Sequence, residues 1–296
     1  MELMKHDAKD ARAWPQSERL RPLSGRHNPH LKEVRQAFRR GELTARGECA
    51  IEGVKLVDEA LRSSQRLTAV FFRESARPLA ERLLPQLSAK TETYLLPNSL
   101  FDSSVPSENP QGIAALVKRD ATTAAQILDR AHAGPIVVAA GLQDPGNLGT
   151  ILRSAEAFGA AGIFLTEGTV SPYNTKVTRG SAGSIFRLPF HQIGLGELIP
   201  TLRQKGVRLL ATSSHKGQML PEVSWRLPLA IFIGNEGAGL PREILHQMDE
   251  TVVIPQAAQV ESLNAGVAAS IVLYEAARST DHRVTETQRK AGLASS

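Results

Sequence analysis

At 296 residues the chain exceeds the usual single-domain span of roughly 100 to 200 residues, so two cores are expected. Hydrophobic residues at 42%, charged residues at 22% and a net charge of +5 describe an ordinary folded protein with a basic lean that suits a polyanionic partner. A single cysteine, Cys49, excludes an internal disulfide framework and a cysteine-rich zinc site, no apolar run reaches the roughly 20 residues of a membrane helix, and the acid-dotted N-terminus lacks a secretory apolar core, so the expected location is the cytoplasm.

Residues 1–27 are polar and aperiodic and predict a flexible arm. From Asn28 the pattern changes: Leu31, Val34 and Phe38 recur at helical spacing behind an Asn-Pro start, with Asn28 as N-cap. A strand at "ECAIEG", a helix at "GVKLVDEALRSS", a strand at "LTAVFFRE", a helix at "PLAERLLPQL" and strands at "ETYLLP" and "GIAALVKR" follow, an alternating α/β unit ending near Arg119. "DATTAAQILDRAHAG" predicts a linking helix, and "PIVVAAG" then reads as a strand buried on both faces. The alternation resumes through helix "NLGTILRSAEAFG", strand "GIFLTEG", helix "LGELIPTLRQKG", strands "VRLLATSS" and "LAIFIG", helix "PREILHQM", strand "ETVVIP" and helix "SLNAGVAASIVLYEAARS". Strands alternating with helices predict a parallel sheet. The polar tail, 281–296, is expected to be flexible.

Three segments stand out. In "AGLQDPGNLGTILRS" a strand ends, a glycine turn follows, and a helix begins near Asn147 with Arg153 nearly two turns further on. The spacing is wrong for a dinucleotide fingerprint, even with Glu167 about 20 residues beyond the turn. In "IFIGNEGAGLPREIL" a lone carboxylate, Glu236, stands among Gly234, Gly237 and Gly239. In "VVIPQAAQVESLNAGVAAS" a strand leads through a loop to Ser262 and Asn264, with Ser262 a credible helix N-cap. Each also has a plain structural reading: a capped helix with a solvated arginine, a glycine turn, a buried helix with a serine cap.

Taken together and in this order, these segments resemble the SpoU (TrmH-type) family of S-adenosylmethionine-dependent RNA 2'-O-ribose methyltransferases in the SPOUT superfamily. The first domain resembles the ribosomal-protein-like RNA-binding unit that often precedes the methyltransferase. The resemblance implies an α/β chain with a smaller RNA-binding domain at 28–120, a linker helix at 121–134, and a C-terminal parallel-sheet domain knotted as a trefoil at 135–280. It further implies S-adenosyl-L-methionine held by main chain at Gly234, Ile254 and Leu263 with Thr212 as another wall, and a homodimer joined partly through the final helix. Arg153 would lie at the ribose hydroxyl, Glu236 and Asn147 would orient it, and Ser262 and Asn264 would complete the polar floor. No metal is required, and no His, Cys or carboxylate cluster has ligand spacing.

For RNA, Arg35, Arg39, Arg40 and Arg46 could grip phosphates or simply be solvated, and Lys176, Arg179 and Arg187 could guide substrate. The expected substrate is RNA, with large-subunit ribosomal RNA ahead of transfer RNA. A non-catalytic RNA-binding or assembly protein of the same fold is the competing reading.

Overall fold

Residues 19–25, 28–214, 216–257 and 262–293 are described by the computed structural model. The expected arm falls largely outside them, but its end does not: β1 (Leu20–Pro22) pairs in parallel with the strand Glu92–Leu96. The Arg19 guanidinium also donates to the carbonyls of Leu84 (3.0 Å) and Ser88 (2.8 Å). Periodicity missed this strand because three residues carry no pattern.

The first domain continues with α1 (Pro29–Arg40), β2 (Glu48–Glu52), α2 (Val54–Arg62), β3 (Leu67–Arg73), α3 (Arg77–Leu83), β4 (Glu92–Leu96), α4 (Asn98–Asp102) and β5 (Ile113–Lys118). Asn28 caps α1 as expected, its side chain accepting from the His30 amide at 2.9 Å. The sheet order is β1-β4-β3-β5-β2, with β5 antiparallel to both neighbours, so this sheet is mixed. One face packs on α2 and α3 and the other on α1 and α4, which explains why the strands are buried throughout. Cys49 lies in the first of these cores, 1% exposed, and burial pushes its thiol up to about 12 against a partial pull from Arg119.

The linking helix is shorter than its sequence pattern predicts. Only α5 (Ala124–Leu128) is helical, opened by a capping box between Thr123 and Gln126.

The second domain runs β6 (Ile136–Ala139), α6 (Pro145–Ala157), β7 (Gly162–Leu165), α7 (Thr175–Gly180), β8 (Phe190–Gln192), α8 (Leu195–Gln204), β9 (Arg208–Ser213), β10 (Gln218–Met219), β11 (Leu229–Ile233), α9 (Arg242–Leu245), β12 (Glu250–Val253) and α10 (Ala265–Leu293). Every pairing is parallel, in the order β10-β12-β9-β11-β6-β7-β8. The chain therefore lays down β6, β7, β8 and β9 before β11 enters between β6 and β9. In register, Ala230 lies opposite both Ile136 and Leu209. α6 and α10 cover one face of the sheet and α5 and α8 the other. α10 carries on through the segment read as a tail, as far as Leu293.

The domains are fastened together by both charge and packing. Ile185 and Phe186 of the second domain are buried in the first domain's core. Arg187 donates to Glu59 (2.7 Å) and Glu156 (3.0 Å), one carboxylate from each domain, and Arg179 donates to Glu52 (2.6 Å).

Candidate active site

Parallel neighbours end at the same edge of a sheet, and the loops leaving those ends form the usual binding mouth. Because β11 pairs with β6, the loop after Ile233 lies beside the loop after Ala139, although they are far apart in sequence; the Ala140 amide donates to the Ile233 carbonyl at 2.8 Å. That register brings Glu236 to the start of α6.

There the carboxylate accepts from the Gln143 amide (3.2 Å), the Asp144 amide (3.1 Å) and the Asn147 side-chain amide (2.9 Å). A helix N-terminus offers unpaired N–H groups and a positive dipole end, so an anion is stabilised there. Burial pushes the Glu236 carboxyl upward, but hydrogen bonds from Asn147 and from the backbone of Glu236, Asp144 and Gln143 outweigh it, holding the group below its ordinary range. Asn147 itself is 5% exposed. It is not the helix cap: Asp144 is, its carboxylate accepting from the Asn147 amide at 2.8 Å.

The loop bearing Glu236 is shaped by Asn235, which the sequence reading passed over. Its main chain bridges Gly239 in both directions, at 3.1 Å and 2.9 Å. Its side chain accepts from the amides of Gly237 and Ala238, both at 3.0 Å, and donates to the Gly141 carbonyl at 2.8 Å. Gly234 is required because a Cβ there would stand 2.5 Å from the Gly239 carbonyl carbon. Its first constraint is thus the loop's own return, and Asn-x-Gly-x-Gly was the available signal.

A cavity of about 810 Å³ opens on this edge. Thr212, Gly234, Ile254 and Leu263 all line it, together with Glu236, Ser262 and Asn264. The size suits a small-molecule ligand. The buried Gln256 Oε1, in its wall, has no hydrogen-bond partner among the described residues and fits a ligand carrying an N–H donor. Asn264 rather than Ser262 caps α10, its side chain accepting from the Val267 amide at 3.2 Å. Ser262 lies two residues too early, exposed at the cavity rim.

Arg153 stands apart. It is exposed, does not line the cavity, and makes no hydrogen bond or ion pair with a described residue. The expected pairing with Glu236 is not formed within the chain, for two reasons. Three donors at the α6 start already occupy the carboxylate, and six residues at about 100° each turn Arg153 roughly 240° away from Asn147 around the helix.

The cations proposed for RNA divide similarly. Arg35 donates to Ser104 (3.0 Å), Arg46 pairs with Glu33 (2.7 Å) and Glu48 (3.3 Å), and Arg179 is tied to Glu52. Arg39 and Arg40 end α1 in exposed positions, and Lys176 opens α7, also exposed. These ends are adjacent, since a Cβ on Gly41 would stand 3.0 Å from the Asn174 Cα. Among the described residues no group of three or more His, Cys, Asp or Glu could hold a metal ion, and no helix is long and apolar enough to cross a membrane.

Comparison with known proteins agrees with this architecture. Residues 134–274 match the SpoU rRNA Methylase family, and residues 28–115 match the MRM3-like substrate binding domain. An uncharacterized tRNA/rRNA methyltransferase of Synechocystis is 34% identical over 270 residues, covering 90% of this chain and 96% of that one. The 23S rRNA (guanosine(2553)-2'-O)-methyltransferase RlmP of Bacillus subtilis is 29% identical, covering 86% of this chain and 98% of its own. An AdoMet-bound rRNA methyltransferase from Sinorhizobium meliloti superposes with a TM-score of 0.75 at 27% identity, over 88% of this chain and 98% of that one. A parallel-sheet domain with a glycine-walled cavity at its mouth, behind a substrate-binding domain, thus belongs to the SpoU rRNA methylase family.

Proposed function

We propose that the protein transfers a methyl group from S-adenosyl-L-methionine to a ribose 2'-hydroxyl of RNA, with large-subunit ribosomal RNA as the target. The observation that carries this reading is the single cavity that gathers Thr212, Gly234, Ile254, Leu263, Ser262 and Asn264 from three distant stretches of chain. Similarity along 86% of the chain to a 23S rRNA 2'-O-methyltransferase favours a ribosomal target over transfer RNA.

The bound cofactor supplies an electrophilic methyl carbon on a sulfonium. The chain's own task is to hold the 2'-oxygen in line with it, and positioning of this kind is worth up to roughly 7 to 11 kcal/mol. Gly234, Ile254 and Leu263 offer main chain to the cofactor, and the orphaned Gln256 carbonyl offers an acceptor. Glu236 and Asn147 lock the cofactor loop to α6, so their role is positioning. Arg153 offers a fork of N–H donors and no acceptor, so it stabilises charge growing on the 2'-oxygen and holds the neighbouring phosphate rather than taking the proton. Arg39, Arg40 and Lys176, all exposed, extend that phosphate track towards the first domain, as surface cations do on polyanions.

The working unit is a homodimer built on α10. Val267 (46% exposed) and Tyr274 (53%) lie seven residues apart on one helix face, an apolar stripe that a second copy would cover. The entry of β11 between strands already laid down supports a trefoil threading of the chain.

The test is incubation of the pure protein with labelled methyl donor and unmodified ribosomal RNA transcripts. Label recovered as 2'-O-methylribose is the expected result. Calorimetric binding of the donor with no transfer to any RNA would leave the non-catalytic reading in place.

A further inference from the structure

A second cleft, of about 630 Å³, lies between the two domains and away from the cavity described above. Glu52, Lys55, Leu56 and Asn109 come from the first domain, Arg179 and Ala182 from the second. Glu52 is the unusual member. Its side chain is 1% exposed; one carboxylate oxygen accepts from Arg179 at 2.6 Å, while the other, Oε1, is buried without a partner among the described residues.

An ionised carboxylate is acceptor-only, and a buried oxygen left unpaired is costly, so a donor is missing from this place. Arg179 presents the opposite character beside it. Its Nη2 serves Glu52 and Ser107, and its remaining N–H groups meet no described residue. An acceptor next to a donor matches the edge of a nucleobase, which sets N–H beside a carbonyl or ring nitrogen. Leu56 and Ala182 add apolar wall for a flat ring, and the exposed Lys55 stands at the rim, where a backbone phosphate would pass.

We propose that this cleft binds one unstacked base of the RNA, with Glu52 accepting from its N–H groups. Guanine fits best, because it alone sets two donors, N1–H and N2–H, side by side on its pairing edge. The assignment rests on the RNA reading above but concerns a separate site: the methyl-transfer cavity would act on one nucleotide while the cleft holds another.

The test is chemical-shift mapping on the full chain, saturated with S-adenosylhomocysteine to occupy the first cavity and titrated with each of the four 5'-mononucleotides. GMP is expected to shift the amides of Glu52, Gly53 and Ala182. Glu52→Gln keeps a carbonyl for Arg179 but puts NH2 where Oε1 was, so donor meets donor, and GMP affinity should fall by about tenfold or more. Asn109→Trp narrows the mouth without touching the Glu52–Arg179 pair and should also abolish the shifts. No cleft response to any mononucleotide, or a response unchanged by Glu52→Gln, overturns the proposal. Methyl transfer by the wild type, measured in parallel, separates the two claims: transfer without cleft binding removes the cleft alone, and absence of both removes the RNA reading with it.

Discussion

At the scale of single residues, Glu236 shows what a sequence can and cannot say. That a lone carboxylate stands among glycines was legible from "GNEGAGL", though alone it reads equally as a glycine turn; its partner was not legible, because the contact with Asn147 spans 89 positions and exists only through the β6–β11 pairing. Three donors converge on this carboxylate, whereas a glutamine offers one acceptor oxygen and would set its own NH2 against an N–H. Glu236→Gln should therefore weaken S-adenosylmethionine binding by about tenfold, read by calorimetry, as well as slow methyl transfer. The folded-state pKa of Glu236 lies below its ordinary value, so the network is fully present above the ordinary carboxylate pKa of about 4.3 and is lost as pH falls through the lower folded value. Donor affinity should stay flat from neutrality down to that region and then decline, while the glutamine variant lacks the decline. Cys49 makes the complementary point: with its thiol pushed up to about 12 inside a packed core, it should resist alkylation at pH 8 until the protein unfolds, followed by mass spectrometry.

Among elements, the long patterned ones were readable and the short ones were not. The strands "PIVVAAG" and "LAIFIG" announce themselves by continuous apolar runs, while β1, β8 and β10 have two or three residues each and leave no period to detect. The joint between domains was also invisible, since nothing in "GSIFRLP" says that Ile185 and Phe186 leave their own domain while Leu188 stays. Magnitudes decide what holds that joint. Arg187 and its two carboxylates are partly exposed, and such pairs contribute about 1 kcal/mol or less, so Arg187→Ala should lower Tm by only about 2–4 °C. Phe186, 7% exposed inside the partner domain's core, should cost about 3–5 kcal/mol when cut to alanine. Calorimetric unfolding of both variants checks the order; equal losses would show that charge contributes as much as packing to the joint.

For the whole molecule, the expectation of two α/β units with a parallel second sheet was legible from alternation, but strand order was not, because identical patterns serve central and edge positions. Arg153 illustrates the consequence for function. In one chain it faces solvent and pairs with no described residue, so the role proposed for it would need RNA or a second subunit to bring it to a cavity. Arg153→Ala should leave donor affinity within about twofold yet reduce transfer by about a hundredfold, the scale of losing one charge stabiliser. If the arginine serves its neighbour's cavity, mixing Arg153→Ala and Glu236→Gln subunits should restore transfer in the hybrid, where one intact pair of contributions meets; no recovery would place Arg153 at its own chain's cavity. The late insertion of β11 carries a consequence in time. Until residues 229–233 have been made, the slot between β6 and β9 has no strand to fill it, and the loop that bears Gly234 and Glu236 does not yet exist. The cavity's lining is completed only by residues 251–268, so a chain truncated before β11 is expected to bind no methyl donor, which calorimetry on such a truncation would check.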